Sequence, residues 1–404
     1  MMTTRGLYSL TLKSASVICG ALIQILQFKN LDARDYIFIA IITLICAIIG
    51  QIDFGIVSNF SIKRLKDSKK KGLSLQEIHF ITESYKVFKP KLNSLFTLWS
   101  ILSIVTITSL LIKLNRLNPD YLVLATITVM VIILNAISGI VSRLLITLDQ
   151  SNHVLSNQLI ALISQIIIFL VFPNLVTAIL GLLVGPLVLL FFVSISTKNL
   201  VKIDKVEINI KNQKKETNWT LQLNQILGVL ITLFMPFMAV FSISKEAAAV
   251  FQIQYKIALV VIGVVSSTYM SILRYSILLP KEKINLMTLQ STILSLLITA
   301  ATIIFLENFW ITFFADTKFP SLGSWIPLVV YIVLQPLTQI KYFQVLVQEK
   351  YRVLITSSIL QMCTLTMSFL ILSTYEYEDL VVFALPFSTL ISFIPVWCGS
   401  RHRL

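Results

Sequence analysis

The chain has 404 residues, 56% of them hydrophobic and only 13% charged, with a mean hydropathy of +0.86. A soluble domain carries roughly a quarter charged residues, so this composition excludes an ordinary soluble protein. The net charge of +14 does not mark a nucleic-acid binder, because the Lys and Arg residues gather in loops on one side of the apolar runs.

The hydrocarbon core of a bilayer is about 30 Å thick, so a spanning helix needs roughly 20 mostly apolar residues. Runs of that kind predict twelve spans, near 6–28, 36–60, 92–113, 120–148, 153–172, 174–197, 218–242, 247–279, 287–306, 324–347, 351–373 and 379–398. Lipid offers the backbone no hydrogen-bond partners, so each span is expected to be a helix. The first run begins at Gly6 and has no A-x-A site behind it, so it is read as a retained helix rather than a cleaved signal. The fold class is therefore an all-α integral membrane protein of about twelve transmembrane helices, in two six-helix bundles.

With the N-terminus inside, 22 of the 33 Lys and Arg residues fall in inside segments, 6 in outside segments and 5 within spans. This bias follows the positive-inside rule and places both termini in the cytoplasm. Two inside loops, 61–91 and 198–217, are long and basic. The second lies near the middle of the chain and divides it into a six-helix half at 1–197, a basic linker at 198–217 and a second half at 218–404. A weak repeat agrees: L-D-Q-S-N-H-V-L from Leu148 links spans four and five, and V-Q-E-K-Y-R-V-L from Val347 links spans ten and eleven. Both turns lie inside, which implies halves of parallel topology.

The cations within spans are Lys13, Arg143, Lys256, Arg274 and Lys341, against one clear intramembrane acid, Asp53. Charge at bilayer depth is costly, so each such residue faces a cavity, pairs or snorkels to the interface. Lys13, Arg143, Arg274 and Lys341 lie close enough to span ends to snorkel. Lys256 lies near the midplane, where its stem does not easily reach either interface, and is read as facing a cavity or held in an internal pair. Arg274 follows it by 18 residues, five turns of one helix, so the two share a face. Asp53 is a candidate partner for Lys13 or an ion site, or simply a helix-end residue before Gly55. Gln252, Gln335 and Gln339 are candidate sugar contacts, although amides within spans more often bond neighbouring helices.

No phosphate-binding glycine loop, zinc-protease motif or Cys/His metal array occurs. The cysteines Cys19, Cys46, Cys363 and Cys398 sit in apolar runs and read as small hydrophobes. Neither a catalytic site nor a metal or organic cofactor is expected, and the protein is read as a non-enzyme.

With these features the chain resembles the Wzx-type O-antigen and polysaccharide flippases of the MOP exporter superfamily, which also holds the MATE drug exporters and the lipid II flippase. The resemblance rests on twelve spans in two halves, on D-F-G-I-V-S-N-F (Asp53 to Phe60) ending span two, and on E-A-A-A-V-F-Q-I-Q-Y-K-I (Glu246 to Ile257) opening span eight. It implies a bacterial inner-membrane protein that flips an undecaprenyl-pyrophosphate-linked oligosaccharide to the periplasmic leaflet by alternating access. It places Lys256, Lys13 and the other span cations Arg274, Lys341 and Arg143 near the pyrophosphate. It also suggests polysaccharide polymerase or chain-length proteins as partners. Whether Na⁺ or H⁺ is a coupling ion stays open. MATE exporters of cationic drugs usually carry acids in the cavity, whereas the interior here is cationic. The competing readings are a glycan polymerase or acyltransferase, which would need a larger loop with clustered charges, and a solute exporter of the same fold.

The topology is testable by labelling with an impermeant maleimide. A cysteine introduced at 114–118 is expected to react in intact cells, and one at 201–217 only after permeabilisation; the reverse result would invert the orientation.

Overall fold

The computed structural model describes residues 4–49, 96–116, 119–147, 151–200, 219–242, 244–276, 281–313, 322–348, 350–374 and 383–401. Among these residues there are twelve helices, one on each predicted span. They are α1 (Thr4–Asn30), α2 (Ala33–Ile48), α3 (Phe96–Lys113), α4 (Pro119–Thr147), α5 (Ser151–Val171) and α6 (Leu175–Leu200). The second six are α7 (Trp219–Ser242), α8 (Lys245–Ser276), α9 (Lys281–Phe313), α10 (Leu322–Val347), α11 (Tyr351–Thr374) and α12 (Ala384–Arg401). Six of the twelve, α3 to α6, α10 and α11, are long and apolar enough to cross a membrane by length and composition. Asp53, the loop 61–91 and most of the linker 198–217 lie outside the described residues.

Two helices differ at their ends from the sequence reading. α9 runs past its expected ends at 287 and 306, taking in Lys281, Lys283 and Glu307. A hydropathy reading stops at charges, but Lys and Glu are good helix formers, so the helix continues beyond the apolar stretch. α12 begins at Ala384 rather than 379, with Pro386 in its first turn, where a missing N–H leaves no intrahelical bond unmade.

The helix ends carry ordinary capping chemistry. Asp32 Oδ1 accepts from the Asp35 N–H at 2.7 Å to cap α2, and Asn174 Oδ1 accepts from Thr177 N–H at 2.9 Å to cap α6. Ser244 Oγ does the same for α8 through the Ala247 N–H at 3.3 Å. α3 is followed two residues on by Asn115, whose φ of 54° is left-handed. There the N–H of Arg116 reaches Leu111 O and that of Asn115 reaches Ile112 O, so two terminal carbonyls are satisfied.

Large apolar side chains lie exposed along helix faces. Ile160, Ile163, Ile167 and Leu170 make such a stripe on α5 at helical spacing. Continuous apolar surface of this kind suits lipid and not water. In contrast, α2 from Tyr36 to Ile42 and α8 from Phe251 to Ala258 are buried on every side. These are the second helix of each six-helix set.

By packing, the chain forms two units, one of Met1–Ile41 with Ile226–Leu404 and one of Ile42–Gln225. Within the second unit, α4, α5 and α6 pack pairwise against one another. Within the first, α10, α11 and α12 do the same, α9 packs on α10, and α8 packs against α1, α9 and α10. The two triads stand six helices apart in the chain, as the repeated turn sequences suggest.

Both triads use glycine for close approach. A Cβ on Gly181 would lie 3.2 Å from Gln165 Cγ, and one on Gly185 would lie 3.5 Å from Ala161 Cβ, so α5 and α6 meet along a small-residue seam. A Cβ on Gly399 would lie 2.8 Å from Val353 Cγ1. There the corner of α10, α11 and α12 closes over Val345, Leu354 and Val396, and Lys350 Nζ donates to Gly399 O at 2.8 Å.

Gly399→Ala is expected to destabilise this corner by about 1–3 kcal/mol, the usual cost of overpacking. The β-branched Val353 has little freedom to turn away, so Val353→Ala in the same chain should restore most of the loss. Thermal midpoints in detergent give the comparison; an unchanged midpoint for Gly399→Ala would show that the two helices part freely.

Candidate functional site

Burying a helix on all sides is simple when its residues are apolar, as on α2, where Tyr36 to Ile42 carries a single hydroxyl. On α8 the equivalent stretch contains Gln252, Gln254 and Lys256, all at least nine-tenths buried. A buried polar group without a partner costs several kcal/mol in an apolar medium, so each must be held.

Part of the α8 chemistry answers a defect in α7. Pro236 has no N–H and therefore leaves the carbonyl of Thr232, four residues earlier, without its helical donor. The Tyr255 hydroxyl of α8 donates to that carbonyl at 3.2 Å. One turn before it on α8, Gln252 Nε2 donates to Pro236 O at 2.7 Å. Tyr255 is also stacked on Phe251, with ring centroids 5.8 Å apart, and its hydroxyl interacts with that of Tyr331 on α10. The bond missing from α7 is thus replaced from α8 by Tyr255, and Gln252 adds a second tie between the two helices.

The other part concerns Lys256. It lies eleven residues after the start of α8, roughly 16 Å along the helix. Its Nζ donates to Gln24 Oε1 of α1 at 2.5 Å, a contact bridging 232 residues of sequence. Gln24 is as buried as the lysine, at 7% and 8% exposure. Two further acceptors stand one helical turn from this pair. Gln27, three residues on from Gln24, has a buried Oε1 with no hydrogen-bond partner, and so does Gln252, four residues before Lys256. The arrangement offers one cationic donor and two unmet carbonyl acceptors. It can hold an anionic oxygen at the lysine and take hydroxyl or amide N–H donors at the glutamines.

The remaining candidates distribute as follows. Gln339 Nε2 donates to Gln335 Oε1 at 3.1 Å, so these two amides bond each other along α10. Lys341 lies over the Trp397 ring at 5.7 Å, a cation–π contact between α10 and α12. Arg143 is half-buried on α4. Lys13 lies on α1 and Arg274 on α8, with side chains outside the described residues, as is the whole of Asp53 and with it any Lys13–Asp53 pair. α8 runs unbroken from Lys256 to Arg274, so the two positions share one face, roughly 27 Å apart. Among the described residues, no group of His, Cys, Asp or Glu could hold a metal ion.

Sequence reasoning did not single out Gln24, Gln27, Tyr255 or Thr232. One signal was available. A proline inside an apolar helix announces an orphan carbonyl four residues earlier, and a tyrosine on the next span is a natural donor. Nothing local pairs Gln24 with Lys256.

A double-mutant cycle tests the repair of α7. Tyr255→Phe should cost about 1–3 kcal/mol, the penalty of an orphaned buried acceptor. Pro236→Ala restores the missing N–H, so in that background the same change should cost little. Equal losses in both backgrounds would separate Tyr255 from the proline.

No family model matches the sequence, and no curated protein matches it either. Solved structures do match in fold. The lipid II flippase MurJ in an inward closed conformation superposes with a TM-score of 0.64 at 15% identity, over 97% of this chain and 87% of that one. An inward-facing multidrug-resistance MATE transporter of the MOP superfamily gives 0.62 at 12% identity, over 98% and 96%. A MOP superfamily transporter from Pyrococcus furiosus, described as having a binding pocket of reversed polarity, gives 0.53 at 14% identity, over 97% and 94%. At these identities the likeness is one of fold, and the chain shares the all-helical fold of these structures.

Proposed function

We propose that this protein is a flippase that moves a polyprenyl-pyrophosphate-linked oligosaccharide from the cytoplasmic to the periplasmic leaflet of the bacterial inner membrane. The observation that carries the reading is Lys256, a cation buried deep in an apolar helix set and bonded to the amide of Gln24. An ammonium is rarely kept at such a depth without a function, since its cost must be offset. A diphosphate oxygen is a strong partner for it, and sugar hydroxyls are suitable donors for the unmet carbonyls of Gln27 and Gln252. The fold shared with a lipid II flippase supports the same reading.

The rest of the proposal follows from this. Lys13, Arg143, Arg274 and Lys341 are further contacts for the anion along its path, and Gln335 and Gln339 are sugar contacts. The halves 1–197 and 218–404, joined by the linker 198–217, work by alternating access, with both termini cytoplasmic. Moving an anion outward is downhill in an inside-negative potential by about 2.3 kcal/mol per charge per 100 mV, so two charges give roughly 4–5 kcal/mol. That bias needs no ATP. An Na⁺ or H⁺ coupling ion would add to it, with Asp53 as its site. Glycan polymerase and chain-length proteins would act on the flipped product.

The test is the leaflet distribution of lipid-linked glycan in cells lacking the gene, complemented with wild type or Lys256→Ala. Intermediate should build up in the cytoplasmic leaflet and be cleared by wild type. Lys256→Ala should clear it roughly 10- to 100-fold more slowly, the equivalent of losing one charged hydrogen bond. Normal crossing without polymerisation would favour a polymerase. Normal crossing and polymerisation, with altered sensitivity to small solutes, would favour a solute exporter.

A further inference from the structure

The Lys256–Gln24 contact says more than that the lysine is held. We infer that Gln24 is an internal competitor for the anion site: its carboxamide oxygen sits on the Lys256 ammonium, and a phosphate oxygen of the lipid-linked headgroup displaces it, untying α1 from α8. The inference rests on the reading of Lys256 as an anion site and adds how that site is regulated and made selective.

Three observations support it. First, the contact is a direct charge-assisted hydrogen bond between two side chains that are each more than nine-tenths buried. An incoming oxygen that uses this N–H must therefore take the place of the amide. Secondly, the exchange favours anions. An amide and a hydroxyl are both neutral, so a neutral headgroup gains little by the swap. A phosphate adds a full charge–charge attraction in a medium of low dielectric constant. Gln24 thus sets a threshold that charge crosses and a neutral solute does not. Thirdly, the shell is short of donors. The Oε1 atoms of Gln27 and Gln252, one turn along each helix from the pair, are buried and unpartnered. A headgroup bearing both phosphate and hydroxyls supplies an acceptor for the lysine and donors for these carbonyls.

Mechanically, α1 packs on α8, and this bond is one of their ties. A ligand shifts a conformational equilibrium only by interacting differently with its two states. Exchange of Gln24 for phosphate is such a difference, and it lets occupancy of the site be read as the freedom of α1.

The test uses full-length protein in nanodiscs, titrated with farnesyl pyrophosphate, inorganic pyrophosphate and farnesol. Gln24→Met keeps the volume and removes the strong acceptor; it should bind farnesyl pyrophosphate about tenfold more tightly than wild type. Gln24→Glu places a carboxylate on the lysine and should bind at least tenfold more weakly. Lys256→Met should lose binding, and farnesol should not distinguish the variants. Should Gln24→Met fold poorly, Gln24→Asn, which withdraws the carbonyl by one methylene, should move affinity in the same direction. Unchanged or weaker binding by Gln24→Met and Gln24→Asn, with Lys256→Met impaired, would overturn the displacement and leave the anion site standing. Unimpaired binding by Lys256→Met would overturn both. A response confined to farnesyl pyrophosphate assigns the ligand to a lipid headgroup; an equal response to inorganic pyrophosphate keeps the displacement and assigns the ligand to free anion.

Discussion

In hydrocarbon every backbone N–H and C=O must find its partner within the protein, and the architecture described here follows from that demand. It makes the described spans helical and their ends capped. It also turns the proline in α7 from a flexible point into a docking point. The carbonyl that Pro236 frees at Thr232 is met by Tyr255, and the carbonyl of Pro236 itself by Gln252. In water the same groups would be solvated and α7 would have less reason to hold to α8. A hinge at this place would have to carry its partner helix with it.

The same scarcity of partners gives meaning to Lys256. α2 and α8 are both fully enclosed over two turns, yet only α8 carries a charge and amides there. The two helices therefore share their burial while their chemistry differs. The lysine is bonded to a neutral amide of α1 at 2.5 Å, which holds the ammonium in place without adding negative charge through that bond. Such an arrangement suits a site that exchanges an internal oxygen for a substrate oxygen better than one built only for rigidity. Replacing both partners by apolar side chains of similar shape would often make a more stable helix pair.

Other cations are held differently. Lys341 lies on the face of Trp397, and Lys350 ties the corner of the last three helices through Gly399 O. These contacts show how a membrane protein uses long cationic side chains near span ends, with an apolar stem along the helix and a head placed on an aromatic face or a terminal carbonyl. Depth separates them from Lys256.

Much of the fold is legible in the sequence because the bilayer imposes a length on every apolar run. The twelve predicted spans reappear as twelve helices among the described residues, and the repeated segments at Leu148 and Val347 fall within triads that pack alike. Hydropathy misplaced the ends of α9 because charge ends an apolar run but not a helix. The position of Lys256 along its helix was also legible, since it follows from counting residues. What tertiary structure alone decided is pairing. Gln24 meets Lys256 across 232 residues and Tyr255 meets the carbonyl freed by Pro236. Gln335 and Gln339 turn towards each other. A one-dimensional pattern records which face of a helix is polar. It does not record which neighbouring helix that face meets, because helix order in a bundle is set by side-chain packing between segments far apart in the chain.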